Sequence, residues 1–142
     1  MCPPRVDPAL RHRLGQVLVG FTILTALLVT LYPFRFSAEV ASLARIDWRV
    51  YYPRHNDRDL VLNLLMLVPL GVGLALMRAG ISIRRLALEA AAIGFGLSLC
   101  IETLQIFERA RFPQLADIWR NGFGCVVGAV AIGLWLRRAR AR

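Results

Sequence analysis

The chain is 142 residues long, which leaves room for one domain, and 57% of its residues are hydrophobic. This apolar share is well above that of an average soluble domain, so the composition argues against a soluble helical protein. The formal net charge is +9, but every basic residue is an arginine, and most of them lie between apolar blocks or at the chain ends. This placement favours membrane topology and contact with lipid head groups over a nucleic acid partner.

Four apolar blocks are each close to the roughly 20 residues that a helix needs to cross about 30 Å of hydrocarbon. The first block contains no charged residue. The sequence therefore predicts an all-α, polytopic membrane protein with a single domain over residues 1–142 and four transmembrane helices in two hairpins. The predicted helices cover residues 14–34, 60–79, 86–107 and 117–136.

Arginines are denser on one side of these helices than on the other. With the N-terminus inside the cell, ten arginines fall in three short inner segments, and eight fall in a longer outer loop and a turn. The positive-inside rule then predicts that both termini are inside and that the loop over residues 35–59 is outside. Within this loop, Ser37–Arg49 is expected to form a short interfacial helix with Val40, Leu43 and Ile46 toward lipid.

The second block begins with a polar pair, and the third carries an acid at its inner end. Asp59 and Asn63 are one helical turn apart and therefore share a face. Pro69 follows at mid-membrane depth, where it is expected to kink the helix. Glu89 stands near Arg84–Arg85, which predicts an ion pair at the membrane interface.

The third and fourth blocks carry further polar pairs. Glu102 and Gln105 are three residues apart, and Asp117 and Asn121 are four apart, so each pair lies on one helical face. A GxxxG spacing begins at Gly124 and is typical of helices that pack closely.

With this orientation, the polar residues of three helices meet in the outer third of the membrane. Ionisable groups near hydrocarbon are costly and mark a functional site by default. Glu102 should therefore point inward, toward Arg111, Arg120 or a water-filled cleft. The predicted site consists of Asp59, Asn63, Glu102, Gln105, Arg111, Asp117 and Asn121.

Three interpretations of this site remain open. In the first, the polar groups form a clasp that locks the outer hairpin, with Asp117 capping the fourth helix. In the second, the site binds a polar or phosphate-bearing lipid head group through bidentate contacts from Arg111 and Arg120. In the third, Glu102 and Asp117 act as acid and base, or hold a divalent cation, in a membrane-embedded hydrolase or transferase.

Motifs for established chemistry are missing from the sequence. It contains no HExxH motif and no Ser-His-Asp or Cys-His arrangement. The three cysteines form no CxxC pair, and two of them lie within apolar blocks. We therefore expect no cofactor and no metal site, and we assign no catalytic residue.

An ordered set of short motifs resembles the VanZ-like family of small bacterial membrane proteins. The set comprises Tyr32-Pro33-Phe34, Asp59-Leu-Val-Leu-Asn63, Pro69-Leu-Gly71, Glu102-Thr-Leu-Gln105-Ile-Phe107, Arg111, Asp117-Ile-Trp-Arg-Asn121, Gly124 and Gly128. The resemblance supports the four-helix fold and the choice of site residues. It also implies the bacterial inner (cytoplasmic) membrane and a link to glycopeptide resistance, since the family is named for a teicoplanin-resistance protein.

Together these observations predict a polar pocket that faces outward and engages an envelope lipid or amphiphile. The alternative is an enzyme that acts on a lipid-linked envelope substrate. The sequence is also compatible with a homo-oligomer in the membrane.

Overall fold

The computed structural model describes residues 7–40, 43–49 and 57–141, apart from the side chains of residues 40, 57–60 and 141. Over these residues the chain forms five α helices: α1 (Pro8–Leu31), α2 (Asp57–Met66), α3 (Val68–Met77), α4 (Ile83–Gln105) and α5 (Leu115–Ala141). By length and composition α1, α4 and α5 can each cross a membrane, and Val61–Met77 is a shorter apolar stretch. The all-α membrane architecture is thus confirmed, whereas the side of each terminus stays a prediction.

The helix predicted over residues 60–79 is divided in two. α2 ends at Met66 and α3 begins at Val68, with Leu67 between them at φ −100° and ψ 4°. Pro69 stands in the first turn of α3. Because proline has no N–H and its ring clashes with the carbonyl four residues earlier, the ladder from Leu65 cannot continue through it. The expected kink is therefore a break.

The other three helices extend beyond the apolar blocks at one or both ends. α1 begins after Asp7, whose side chain accepts a hydrogen bond from the N–H of Ala9 at 3.1 Å. α4 begins after Ser82, whose hydroxyl accepts from the N–H of Arg85 at 3.2 Å. The apolar blocks mark the part of each helix that faces hydrocarbon, and the helices extend past these blocks into segments with charged residues. At their C-terminal ends, by contrast, α1 and α4 stop before the predicted bounds, at Leu31 and Gln105.

α5 is the helix on which the bundle is assembled. It packs against α2, α3 and α4, and α1 packs chiefly against α3. The contact along α2 and α3 is made by backbone, because a Cβ added at Gly124 would overlap the carbonyl oxygen of Leu64, and one at Gly128 would overlap that of Val68. In the same seam, a Cβ at Gly71 would overlap the carbonyl oxygen of Cys125. The predicted small-residue packing is confirmed.

The segment after α1 is not the interfacial helix predicted over Ser37–Arg49. It contains two 3-10 turns, Ala38–Val40 and Leu43–Arg45, and is attached to the turn after α4 by two isolated bridges, Phe36 with Glu108 and Asp47 with Gln114. Backbone pairing to that turn replaces the helical hydrogen bonds that an interfacial helix would have made.

The opposite end of the bundle carries the predicted ion pair. The Glu89 carboxylate lies 3.2 Å from the guanidinium of Arg85 and 3.2 Å from that of Arg78. The predicted partner Arg85 is confirmed, and Arg78 at the end of α3 takes the place expected for Arg84. The pair joins α4 to the turn that follows α3.

Candidate functional site

A polar cleft of about 830 Å³ lies at the end of the bundle where α1 and α4 end and α5 begins. α1 packs on α3 and α2 packs on α5, so the space between α1 and α2 is left to this cleft. Six of the seven predicted site residues line it, and the seventh, Asp59, has its side chain outside the described residues. The six are Asn63, Glu102, Gln105, Arg111, Asp117 and Asn121.

One side of the polar cleft is apolar and faces outward from the bundle. Val29 of α1 is 60% exposed, and Leu62 and Leu65 of α2 are each 53% exposed. These three side chains line the cleft together with Met66. The cleft therefore joins a polar interior to a surface suited to hydrocarbon.

Glu102 points into the bundle, as predicted, but none of the arginines that the structure describes pairs with it. The residue is only 6% exposed, and its Oε2 accepts a hydrogen bond from the backbone N–H of Gln114 at 2.6 Å. Within the described part of the chain, neither Arg111 nor Arg120 forms an ion pair with it. Of the alternatives predicted for Glu102, the structure agrees with the cleft and not with an arginine partner, and a backbone donor on the turn before α5 binds the carboxylate.

The two arginines of the cleft are held by other groups of the protein. Arg111 donates from Nε to the carbonyl oxygen of Tyr32 at 3.0 Å and from a terminal nitrogen to that of Val29 at 2.8 Å. These carbonyls belong to the last turn of α1, where helices leave their C=O groups without partners. Arg120 lies 3.3 Å from the carboxylate of Asp117.

Three of the four amide side chains that line the cleft donate to a protein acceptor. Asn63 donates to Oδ1 of Asp117 at 2.6 Å, and Gln105 donates to the carbonyl oxygen of Thr30 at 3.0 Å. Asn121, only 2% exposed, donates to the hydroxyl of Ser98 at 3.2 Å. These contacts tie α2 to α5, α4 to α1 and α5 to α4.

These hydrogen bonds between helices agree with the clasp interpretation, but the predicted capping of the helix by Asp117 is not observed. α5 begins at Leu115, and Asp117 lies within its first turn, where it accepts from Asn63 and Arg120. A carboxylate in the first turn still interacts favourably with the positive end of the helix dipole. Asp117 therefore joins α2 to α5 rather than capping α5.

Four further residues shape the polar cleft without a clear sequence signal. Arg45 donates to three carbonyls of the turn after α4, including those of Glu108 at 3.0 Å and Arg111 at 2.7 Å. Asp47 pairs through its backbone with both neighbours of Gln114, whose N–H holds Glu102.

Glu108 is fully buried and accepts from the N–H groups of Arg35 and Ala110. Its position directly after an apolar block is the one cue that a search for intramembrane acids could have used.

The part of the chain that the structure covers contains no group of side chains suited to binding a metal ion. Among residues 7–40, 43–49 and 57–141, no three histidine, cysteine, aspartate or glutamate residues are grouped so as to hold an ion. Glu102 and Asp117 line the same cleft, but each is engaged by groups of the protein, the first by a backbone N–H and the second by Asn63 and Arg120.

No curated protein and no solved structure gives a significant match to the chain. The model of the VanZ/LLP1 family matches residues 11–136, a range that contains every helix-borne residue of the polar cleft. The chain therefore belongs to the VanZ/LLP1 family.

Proposed function

We propose that this membrane protein binds the head group of a membrane amphiphile in the polar cleft, with the acyl chain along α1 and α2. The observation that carries the proposal is the continuity between polar groups from three helices and the exposed apolar side chains of Val29, Leu62 and Leu65. An amphiphile has the same two-part character, and only such a ligand satisfies both surfaces at once.

The volume of the cleft is suited to a head group. Ligand pockets commonly measure about 300–1,000 Å³, and the cleft, at about 830 Å³, falls within that range. Because α1 and α2 pack on different partners, a ligand can enter between them from the bilayer without crossing the bundle. For the enzymatic alternative we find no specific observation in its favour.

Glu102→Gln and Arg111→Ala test whether the cleft is a binding site or a clasp. We expect Glu102→Gln to weaken the binding of short-chain phospholipid by about tenfold while the folded yield stays normal, because glutamine can still accept from Gln114. Binding would be measured by native mass spectrometry and folded yield by size-exclusion chromatography. Arg111→Ala should lower both, since it also releases the last turn of α1.

Glu89→Gln is the matched control for this experiment. It removes the same charge from the same helix at the opposite end of α4, where Glu89 pairs with Arg78 and Arg85. It should leave phospholipid binding unchanged. If Glu102→Gln also leaves binding unchanged, the cleft is not the site, and a joint loss of binding and folding in Glu102→Gln would favour the clasp.

We further propose that the cleft faces outward from the bacterial inner membrane, with both termini inside. The bias of arginine toward the segments at the other end of the helices supports this orientation. An outward cleft would meet lipid-linked envelope components and acylated glycopeptides of the teicoplanin type, which is how a role in resistance would arise.

Cysteine labelling tests the orientation. In a protein whose Cys2 is replaced by serine, Ser42→Cys should react with a membrane-impermeant maleimide in intact cells, and Ser82→Cys should react only after lysis. The expected difference follows from the predicted topology, in which residue 42 belongs to the outer loop and residue 82 to an inner turn. The reverse pattern would move the polar cleft to the cytoplasmic face.

A further inference from the structure

Several hydrogen-bond acceptors of the polar cleft have no donor among the described residues. Asn63, Gln105 and Asn121 each direct an NH₂ group at a protein oxygen. Within the described residues, no donor reaches the side-chain oxygens of these three amides or Oε1 of Glu102. Three of these acceptors, on α2 and α4, are therefore open to a ligand as far as the described residues show, whereas the Asn121 oxygen is fully buried.

The chemistry of the partners fixes which way these amides point. Asn63 faces a carboxylate and Gln105 faces a backbone carbonyl, and neither of those groups can donate a hydrogen bond when the carboxylate is ionised. Asn121 faces the Ser98 hydroxyl, whose proton points to the carbonyl of Asp117 at 3.4 Å. In each case the nitrogen must be the atom that faces the protein, so the oxygen faces elsewhere.

The charges of the cleft have the same bias. Its described lining contains three carboxylates and two guanidiniums, and both guanidiniums already contact protein oxygens. Each guanidinium keeps further N–H groups and Gln114 adds a side-chain NH₂, so a phosphate meets donors in the cleft, whereas the amide oxygens and Glu102 need a ligand that donates. A ligand that fits must bring N–H or O–H groups, and positive charge favours it further.

We propose that the cleft binds the primary ammonium of an aminolipid head group, with Glu102 as its main partner. This inference rests on the function proposed above and specifies its ligand. An ammonium presents three donors and no acceptor, which matches a wall of oxygens from separate helices. A hydroxyl brings one donor and no charge, so it meets fewer of these oxygens and gains less from Glu102.

Methylation of the head-group nitrogen provides the test, because it removes N–H donors and keeps the positive charge. The purified protein is titrated with short-chain phosphatidylethanolamine, phosphatidylcholine and phosphatidylglycerol that share their acyl chains, and dissociation constants are measured by native mass spectrometry. We expect the ethanolamine lipid to bind about tenfold more tightly than the choline lipid. The glycerol lipid, which offers hydroxyl donors without positive charge, should bind as weakly as the choline lipid.

Variants then assign the preference to the cleft. Glu102→Gln should reduce the preference for ethanolamine over choline to less than about threefold, and Glu89→Gln should retain it in full. The comparison within the wild-type protein needs no variant, so it remains decisive even if Glu102→Gln folds poorly.

The outcomes separate the two proposals. Equal affinity for all three lipids, with all of them weakened by Glu102→Gln, would overturn the ammonium proposal and leave amphiphile binding standing. Preference for the glycerol lipid would overturn the ammonium proposal in favour of a polyol. If neither Glu102→Gln nor Glu89→Gln changes the binding of any lipid, both proposals fail.

Discussion

A protein in which Gly124 and Gly128 are both replaced by alanine should lose most of its folded fraction in detergent. Each added Cβ would overlap a backbone carbonyl, that of Leu64 or of Val68, and backbone cannot move aside as a flexible side chain can. Overpacking a tight core costs about 1–3 kcal/mol per site and sometimes more. The combined cost of two such sites is a large part of the total free energy of unfolding of a typical protein. Thermal unfolding and size-exclusion profiles would measure the loss.

Glycine positions with free space around them are the controls for this prediction. An alanine at Gly20 or Gly96 would have no other atom within 4 Å of its Cβ. Because alanine favours helix over glycine by about 1 kcal/mol, these changes should be neutral or stabilising. If the Gly124→Ala/Gly128→Ala protein unfolds at the same temperature as Gly96→Ala, α5 does not lie as close to α2 and α3 as the structure places it.

Glu108→Ala should destabilise the protein and open the polar cleft. The fully buried Glu108 carboxylate accepts from the N–H of Arg35 at 2.7 Å and from that of Ala110 at 2.5 Å, so alanine leaves two donors without partners. A buried donor without a partner costs about 1–3 kcal/mol, and we expect the Tm to fall by roughly 5 °C or more. The same change should weaken phospholipid binding, since this turn carries both Arg111 and the N–H that holds Glu102.

Glu39→Ala removes an acid from the neighbouring surface and serves as the comparison. Glu39 pairs with Arg109 at 3.2 Å, and both side chains are more than half exposed to solvent. An exposed pair of this kind contributes about 0–1 kcal/mol, so its loss should scarcely change the Tm. Equal Tm changes for Glu108→Ala and Glu39→Ala would show that the buried acid does not hold the turn. Hydrogen exchange at Arg35 and Ala110 would locate the effect.

Most of the fold and of the cleft lining could be predicted from local sequence. Apolar blocks of spanning length located the helices, and the cost of charge in hydrocarbon brought Glu102 and Asp117 to one cleft. The break at Leu67 was only partly visible, because Pro69 shows that the ladder must be interrupted but not whether the helix bends or ends.

The partners inside the cleft could not be predicted in the same way. Charge pairing suggested an arginine for Glu102, yet a backbone N–H takes that place, and backbone donors are identical at every residue except proline. Arg45 likewise reaches carbonyls more than sixty residues away in sequence. Nothing in the composition of either segment encodes a contact of that kind. Side chains that bond to backbone therefore set the limit of the prediction.

The glycine seam also fixes how this protein can move. Gly124 and Gly128 face the carbonyls of Leu64 and Val68, so both contacts repeat at four residues on each helix. A slide of one helical turn in either direction would set the side chain of Arg120 or Ile132 against a carbonyl that now meets only glycine. α5 therefore cannot slide along α2 and α3, and these three helices form one rigid unit. A movement that widens the polar cleft therefore has to leave this seam intact.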